Sequence, residues 1–313
     1  MAGTVPSEGQ CLYQLYTTQF STQIELLLQQ KQSLLRGRLK EGMHVGKMAS
    51  PINQVGYLSA KSPAGRGSPL QLQNADFYRR WCFPQDVEIP QLVDNFDLLR
   101  TAVGDPKSDL VTTASAAIGR AYDDAVIAAQ NATSYLGQDA AGLTTETFNT
   151  TNFQIASTFG SSSASGLTVA KIIEIRRILR HYHNELETDE ATLVIGSQQE
   201  SDLLNQVQVV STEFNTTPVY SNDGKIERFL GFNIVYSERL STASNVRTAF
   251  AFVKSGLYLG LWSDMKHRID QRIDISSLPF QVYSAATFGA TRLQPGKVIQ
   301  ILCSDTSGSD ITP

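Results

Sequence analysis

Gly224-Lys-Ile-Glu-Arg-Phe-Leu-Gly-Phe-Asn-Ile-Val-Tyr-Ser237 is the most patterned stretch of this 313-residue chain. A glycine turn opens it, a short strand follows, Gly231 makes a second step, and Phe232–Ser237 runs on as an apolar strand ending in serine. Aromatic and β-branched residues suit a pleated, buried surface, and the glycines bound the strand.

Beyond it, Thr248–Val253 and Leu257–Trp262 have the same composition and are joined by Lys254-Ser255-Gly256. Ile269, Ile273 and Ile275 alternate with Asp270, Arg272 and Asp274, as in a half-buried strand. Phe280–Thr291 and Val298–Cys303 follow, separated by a Pro295-Gly296 turn. Before the stretch, Ala191–Ser197 is a short continuous apolar run, expected of a strand buried on both faces. Gln198–Gln206 reads as helix, while Gln208–Phe214 fits either state.

Two longer helices precede these elements. Over 167–187, Ile172, Ile175, Leu179, Tyr182 and Leu186 step by three and four, with Glu174, Arg177, His181 and Asn184 on the other side. Over 106–135, Asp105-Pro106 supplies a start signal. Leu110, Ala114, Ala117, Ile118, Ala121, Ala125 and Ala128 form the inward stripe there, with Arg120 and Asp123 off it and Asp124 at its margin. The Gly/Ser/Thr-rich segment 137–166 reads as loop and irregular strand.

The first ninety residues differ from this body. Residues 10–40 read as an arm, with Tyr16, Phe20, Ile24, Leu27, Leu28, Leu34 and Leu35 at near-helical spacing. An isolated helix is marginal in water, so this stripe has to dock on its own body or on a neighbouring chain. Lys31, Arg36, Arg38, Lys40 and Lys47 form a basic patch, suited to nucleic acid or to a contact between chains. Next, two β-compatible stretches, about 51–60 and 70–83, flank the loop tip Lys61-Ser-Pro-Ala-Gly-Arg-Gly-Ser-Pro69. Such a hairpin has little of its own to bury and is expected to lie across something else.

Composition narrows the function. Charged residues make up 18%, below the roughly 25% of an average domain. The net charge of -4 argues against a dedicated sequence-specific nucleic-acid binder. No run of about 18 apolar residues occurs, which excludes a helical membrane span, and the first ten residues do not have the form of a secretory signal. Cys11, Cys82 and Cys303 are odd in number and far apart, which argues against a disulfide framework or structural zinc site and fits a reducing cytoplasm.

The search for chemistry returns nothing. There is no phosphate-binding glycine loop, dinucleotide fingerprint, zinc-protease helix or serine-hydrolase elbow. His181 and His183 would point about 200° apart on a helix, with no third ligand nearby. Asp123-Asp124 and Asp270/Asp274 read as solvated carboxylates or ion-pair partners, and Ser161–Ser163 lack a nucleophile's context. Sequons at Asn131, Asn149 and Asn215 matter only in a secretory pathway, and Trp81 and Trp262 read as packing or interface residues. No catalytic, cofactor-binding or metal-ligating residue and no cofactor is expected.

An arm, a hairpin and an α+β body in this order resemble the major capsid proteins of tailed bacteriophages, the Hong Kong 97-type fold. Gly224–Ser237 is similar to a recurring pattern of that family, and Thr287-Phe288-Gly289-Ala290 before Pro295 resembles its closing segment. The resemblance implies an N-terminal arm over 1–47 and an E-loop over 48–90. A P-domain follows over 91–165 with a spine helix at 106–135, then an A-domain over 166–263. A P-domain return over 264–303 and a tail over 304–313 complete the chain.

It also implies a structural protein of the virion, not an enzyme. Assembled in the host cytoplasm, its copies would form hexamers and pentamers of an icosahedral shell around double-stranded DNA. A-domains would meet around the hexamer and pentamer axes and P-domains around three-fold contacts. Partners would be other copies, non-specifically the DNA, a portal and a possible cement protein, with no membrane. The short arm adds the expectation of a separate scaffolding protein. Some relatives join an E-loop lysine to a P-domain asparagine; Lys61 sits at the tip, but no asparagine follows Asn245, so a non-covalent shell is expected. The alternatives are an encapsulin-like nanocompartment shell and, from another class, a soluble enzyme with an unrecognised site. Deleting residues 1–40 is expected to leave a folded body that assembles poorly.

Overall fold

The computed structural model describes residues 29–46, 50–62, 65–70, 72–94, 107–137, 142–206 and 226–305. The chain begins with β1 (Lys40–Met43), β2 (Ser50–Val55), β3 (Phe77–Cys82) and β4 (Gln85–Val93), then helix α1 (Lys107–Ala129). Short elements follow: β5 (Ser134–Leu136), β6 (Thr144–Glu146), α2 (Thr150–Phe153) and β7 (Gln154–Ile155). Next come α3 (Val169–His181), β8 (Ala191–Ile195), α4 (Ser197–Leu204), β9 (Arg228–Phe229) and β10 (Phe232–Tyr236). The last strands are β11 (Thr242–Ala243), β12 (Val246–Val253), β13 (Leu257–Gln271), β14 (Phe280–Arg292) and β15 (Val298–Ser304).

The turn at Leu230-Gly231 and the strand that follows it belong to the largest sheet. Leu230 and Gly231 both take positive φ, 48° and 89°, and turn β9 back onto β10; glycine accepts that conformation without a Cβ clash. Gly224 and the expected ambiguous segment Gln208–Phe214 lie outside the described residues. β10 pairs in parallel with β8, whose five residues are all buried. The full order is β7-β15-β12-β8-β10-β9, with β11 on β12. α3 lays Ile172, Ile175 and Leu179, none of them exposed, into this core.

A second sheet, β1-β13-β14-β4, carries α1 on one face, where Tyr122 meets Phe288 at 4.4 Å between rings. Successive strand residues face opposite ways. Gly289, next to Phe288, therefore lies on the far side, paired with Gly260. The carbonyl of Phe83 rests against Gly289 where any side chain would stand, so the chain leaving β3 crosses that face in close contact. The third sheet, β2-β3-β5-β6, projects from this crossing. The edge strand β4 of the second sheet carries Pro90, which hinders addition of further strands there.

Several expectations change. The helix expected over 106–135 ends at Ala129: Arg292 Nη1 donates to the Gln130 carbonyl at 2.9 Å, and Ser134–Leu136 is needed as a strand beside Arg80 and Trp81. A cation from another strand thus sits at the C-terminal end of a helix whose own last turn has none. The buried face of α1 is wider than the alanine stripe, taking in Ala116, Gly119, Tyr122, Asp123, Val126 and Ile127, while Ala128 is exposed, because a second element covers the helix. The helix expected over 167–187 stops at His181; Tyr182 is exposed, and Asn184, expected outside, is buried where its Nδ2 donates to the carbonyls of Leu179 and Gly296, both at 2.9 Å. Ile273 and Ile275 are not in a strand, because β13 ends at Gln271 and the chain turns back with Ser277 and Leu278 at positive φ. Residues 29–39 are not helical, and the earlier part of the arm stripe, Tyr16 to Leu28, lies outside the described residues.

Candidate functional site

The element covering α1 is the arm. Asp123, read from sequence as a surface carboxylate, is fully buried. It accepts four hydrogen bonds from one short stretch: Gln30 Nε2 at 2.5 Å, Ser33 Oγ at 2.6 Å, Leu34 N at 3.0 Å and Leu35 N at 3.1 Å. Burying a carboxylate is costly unless donors replace its water, and here the arm supplies them. Leu35 and Leu39 enter the core, and β1 then pairs in parallel with β13 from Lys40↔Tyr258 to Met43↔Leu261.

A second lock lies beside it. The register between β13 and β14 shifts around Ser263, and this irregularity turns Asp264 toward the arm. Its carboxylate takes Arg36 Nη1 and Nη2 at 3.0 and 2.8 Å and the Tyr122 hydroxyl at 3.1 Å. The Arg36 guanidinium holds the Asp264 carboxyl down at about 2, and burial raises the Tyr122 phenol above its usual range. Deleting residues 1–40 would therefore remove Leu35, Leu39 and every donor to Asp123. On these contacts the deletion is expected to destabilise the body rather than leave it intact.

The hairpin is built the other way. Tyr57 is 95% exposed, Leu70 85% and Phe77 77%, and Val55, Phe77, Tyr78 and Leu136 line an open apolar groove. Hydrogen bonds join it to the body near its root. There Gln54 Nε2 donates to Leu293 O and Trp81 Nε1 to Gly137 O, while Ser134 Oγ of the adjoining strand β5 donates to Arg292 O. Arg80, 6% exposed, pairs with Glu146 at 2.6 Å and donates to Arg292 O at 3.4 Å. Arg292 itself is wholly buried with its guanidinium over Phe148, and burial lowers it to about 10.

The body holds residues 29–43 of the arm and leaves the apolar side chains of the hairpin exposed. A model of the phage capsid protein family matches residues 12–305. The chain belongs to the phage capsid protein family. Solved structures agree on the fold. The capsid structure of the cyanophage P-SCSP1u superposes with a TM-score of 0.73 at 14% identity, covering 94% of this chain and 95% of that one. The cyanophage Pam1 capsid asymmetric unit gives 0.70 at 10%, covering 98% and 100%. The capsid of Ralstonia phage GP4 gives 0.64 at 12%, covering all of both chains. No curated protein matches by sequence.

Family membership makes this a structural protein of the virion with a mixed α+β fold, as expected. No described helix of the capsid protein is long and apolar enough to cross a membrane. His181 and His183 are both exposed, and among the described residues no three His, Cys, Asp or Glu group as metal ligands would. Asp124 pairs with Arg239 at 2.5 Å, Asp270 with Arg268 and Asp274 with Arg272, the surface pairing read from sequence. Asn149 caps α2, Ser161–Ser163 and Asn131 are exposed, Lys61 stands at the hairpin tip, and Asn215 and Cys11 lie outside the described residues. Cys82 and Cys303 are buried free thiols, each pushed up to about 12 by burial.

Sequence reading missed Lys171, which is fully buried with Nζ donating to the carbonyls of Ser157, Ser165, Gly166 and Leu302 at 2.8–3.1 Å. Burial lowers its pKa, with the nearby Cys303 and Asp202 opposing. It joins the loop before α3 to β15. Its place on the inward stripe, four residues before Ile175 and seven before Ile178, was the available signal.

Proposed function

We propose that this capsid protein is the major shell subunit of a tailed phage, assembled in the host cytoplasm. Its copies meet as hexamers and pentamers of an icosahedral shell around double-stranded DNA, with a portal among its partners. The observation that carries the reading is the hairpin: Val55, Tyr57, Leu70 and Phe77 are left in water by their own subunit. Covering them on a neighbour is favoured by roughly 25 cal/mol per Å² of apolar surface, offset in part by the entropy of ordering.

In this reading the hairpin is the E-loop and α1 the spine helix. The four-stranded sheet β1-β13-β14-β4 is the P-domain and the seven-stranded sheet the A-domain. β7 and β15 join that larger sheet, although they lie outside 166–263 in sequence. Negative-stain microscopy of the expressed protein tests the assignment: uniform closed shells are expected, and a discrete small oligomer would refute it. Particles holding a cargo enzyme instead of DNA would refute the phage shell. Heating shells in SDS should release single subunits, because no asparagine in the closing segment can partner Lys61.

A further inference from the structure

Lys171 lies in the first turn of α3, where the Thr168 side chain caps the helix. A cation in that position runs against the helix dipole, and burial disfavours it further. Lys171 is nevertheless wholly buried and has no ion pair with a carboxylate among the described residues. Backbone oxygen holds its ammonium instead. The carbonyls of Ser157, Ser165, Gly166 and Leu302 stand 3.1, 2.8, 2.8 and 3.1 Å from Nζ.

An ammonium has only three N–H donors, so four carbonyls at these distances must share them. A spherical cation would meet all four alike, in the way that rings of carbonyls replace the water shell of potassium. Other bonds hold the cage in shape. Ser165 N and Oγ both donate to Ser157 O, at 2.9 and 3.1 Å, and Ser304 N donates to Ser165 O at 3.0 Å. Beside the cage, Asp202 accepts from Leu167 N at 3.2 Å, and its charge favours the ammonium. A cleft lined by Ser165, Gly166, Asp202 and Ser304 opens to solvent next to these groups.

We propose that the four carbonyls form a monovalent-cation site of the potassium and ammonium class, which the chain fills with its own lysine. The tether makes closure of loop 157–166 onto β15 independent of the ions in solution. A site of this kind would take a free cation once the lysine is cut back.

The test is thermal unfolding of the full-length protein in equal concentrations of potassium, ammonium or choline chloride. The wild type should melt at one temperature in all three. Lys171→Ala removes the ammonium and leaves the cage, and should melt at least about 5 °C lower in choline. Potassium or ammonium should restore about a third or more of that loss, because each binds the folded state alone. Lys171→Met fills the space without charge and should melt low in every salt. An alanine variant that loses nothing in choline, or loses as much in all three salts, would overturn the inference; failure to fold in each of them counts as the latter. Equal rescue of the methionine variant would also overturn it, since that is a general salt effect. A wild type whose melting follows the cation would remove the tether.

Discussion

Residues 29–43 and the hairpin of β2 and β3 look alike in sequence, yet the subunit treats them in opposite ways. Both are polar stretches with few large aliphatics. The arm is held along its length by Asp123, by two leucines sunk in the core and by strand pairing with β13. The hairpin is held at one end and carries its apolar side chains in water. Their hydrophobicity does not separate them. What does is whether the body offers an acceptor to backbone groups that a strand or helix would otherwise satisfy. One buried carboxylate on α1 does this for the arm.

Removing that carboxylate is the strongest way to break the contrast. Asp123→Ala should cost about 3–5 kcal/mol in denaturant unfolding, since it leaves buried donors unpaired. A loss under about 1 kcal/mol would show that the arm is not held there. At the hairpin root, Glu146→Gln removes the carboxylate charge paired with buried Arg80. We expect a smaller loss, about 2–3 kcal/mol, because Glu146 keeps a third of its side chain in solvent. An unchanged denaturation midpoint would count against a charge-locked root.

Acid should act on the arm next. The Asp264 carboxyl sits at about 2, below the usual value near 3.9, so its contribution is complete above about pH 4 and is lost as pH falls toward 2. The effect is modest, because the pair is partly exposed. Asp264→Asn should flatten that acid limb in a pH series of melting curves; an unchanged limb would assign it to other carboxylates. The smallest effect on folding belongs to the hairpin. Phe77→Ser should move unfolding by no more than about 0.5 kcal/mol, as expected of an exposed position, yet abolish shells in the microscope. A folded variant that still assembles normally would remove the hairpin from the contact.

Much of the architecture was legible in the chain. Ala191–Ile195 as a fully buried strand, Gly231 as a turn, the hairpin around residues 61–69 and the long helix before residue 130 all follow from periodicity and local steric rules. These depend on neighbours within a few residues. The charged interior was not legible, because it depends on partners far apart in sequence. Asp123 meets Ser33 across 90 positions, Arg292 meets Gln130 across 162, and Lys171 meets Leu302 across 131. A lone Asp, Arg or Lys beside a hydrophobic stripe reads as surface until another segment brings donors or carbonyls to it. The amino-acid order alone determined the main buried strands, the two long helices up to their ends and the hairpin. Tertiary packing decided which appendage the subunit keeps for itself, because desolvating a charge is tolerable only where a distant part of the chain completes its hydrogen bonds.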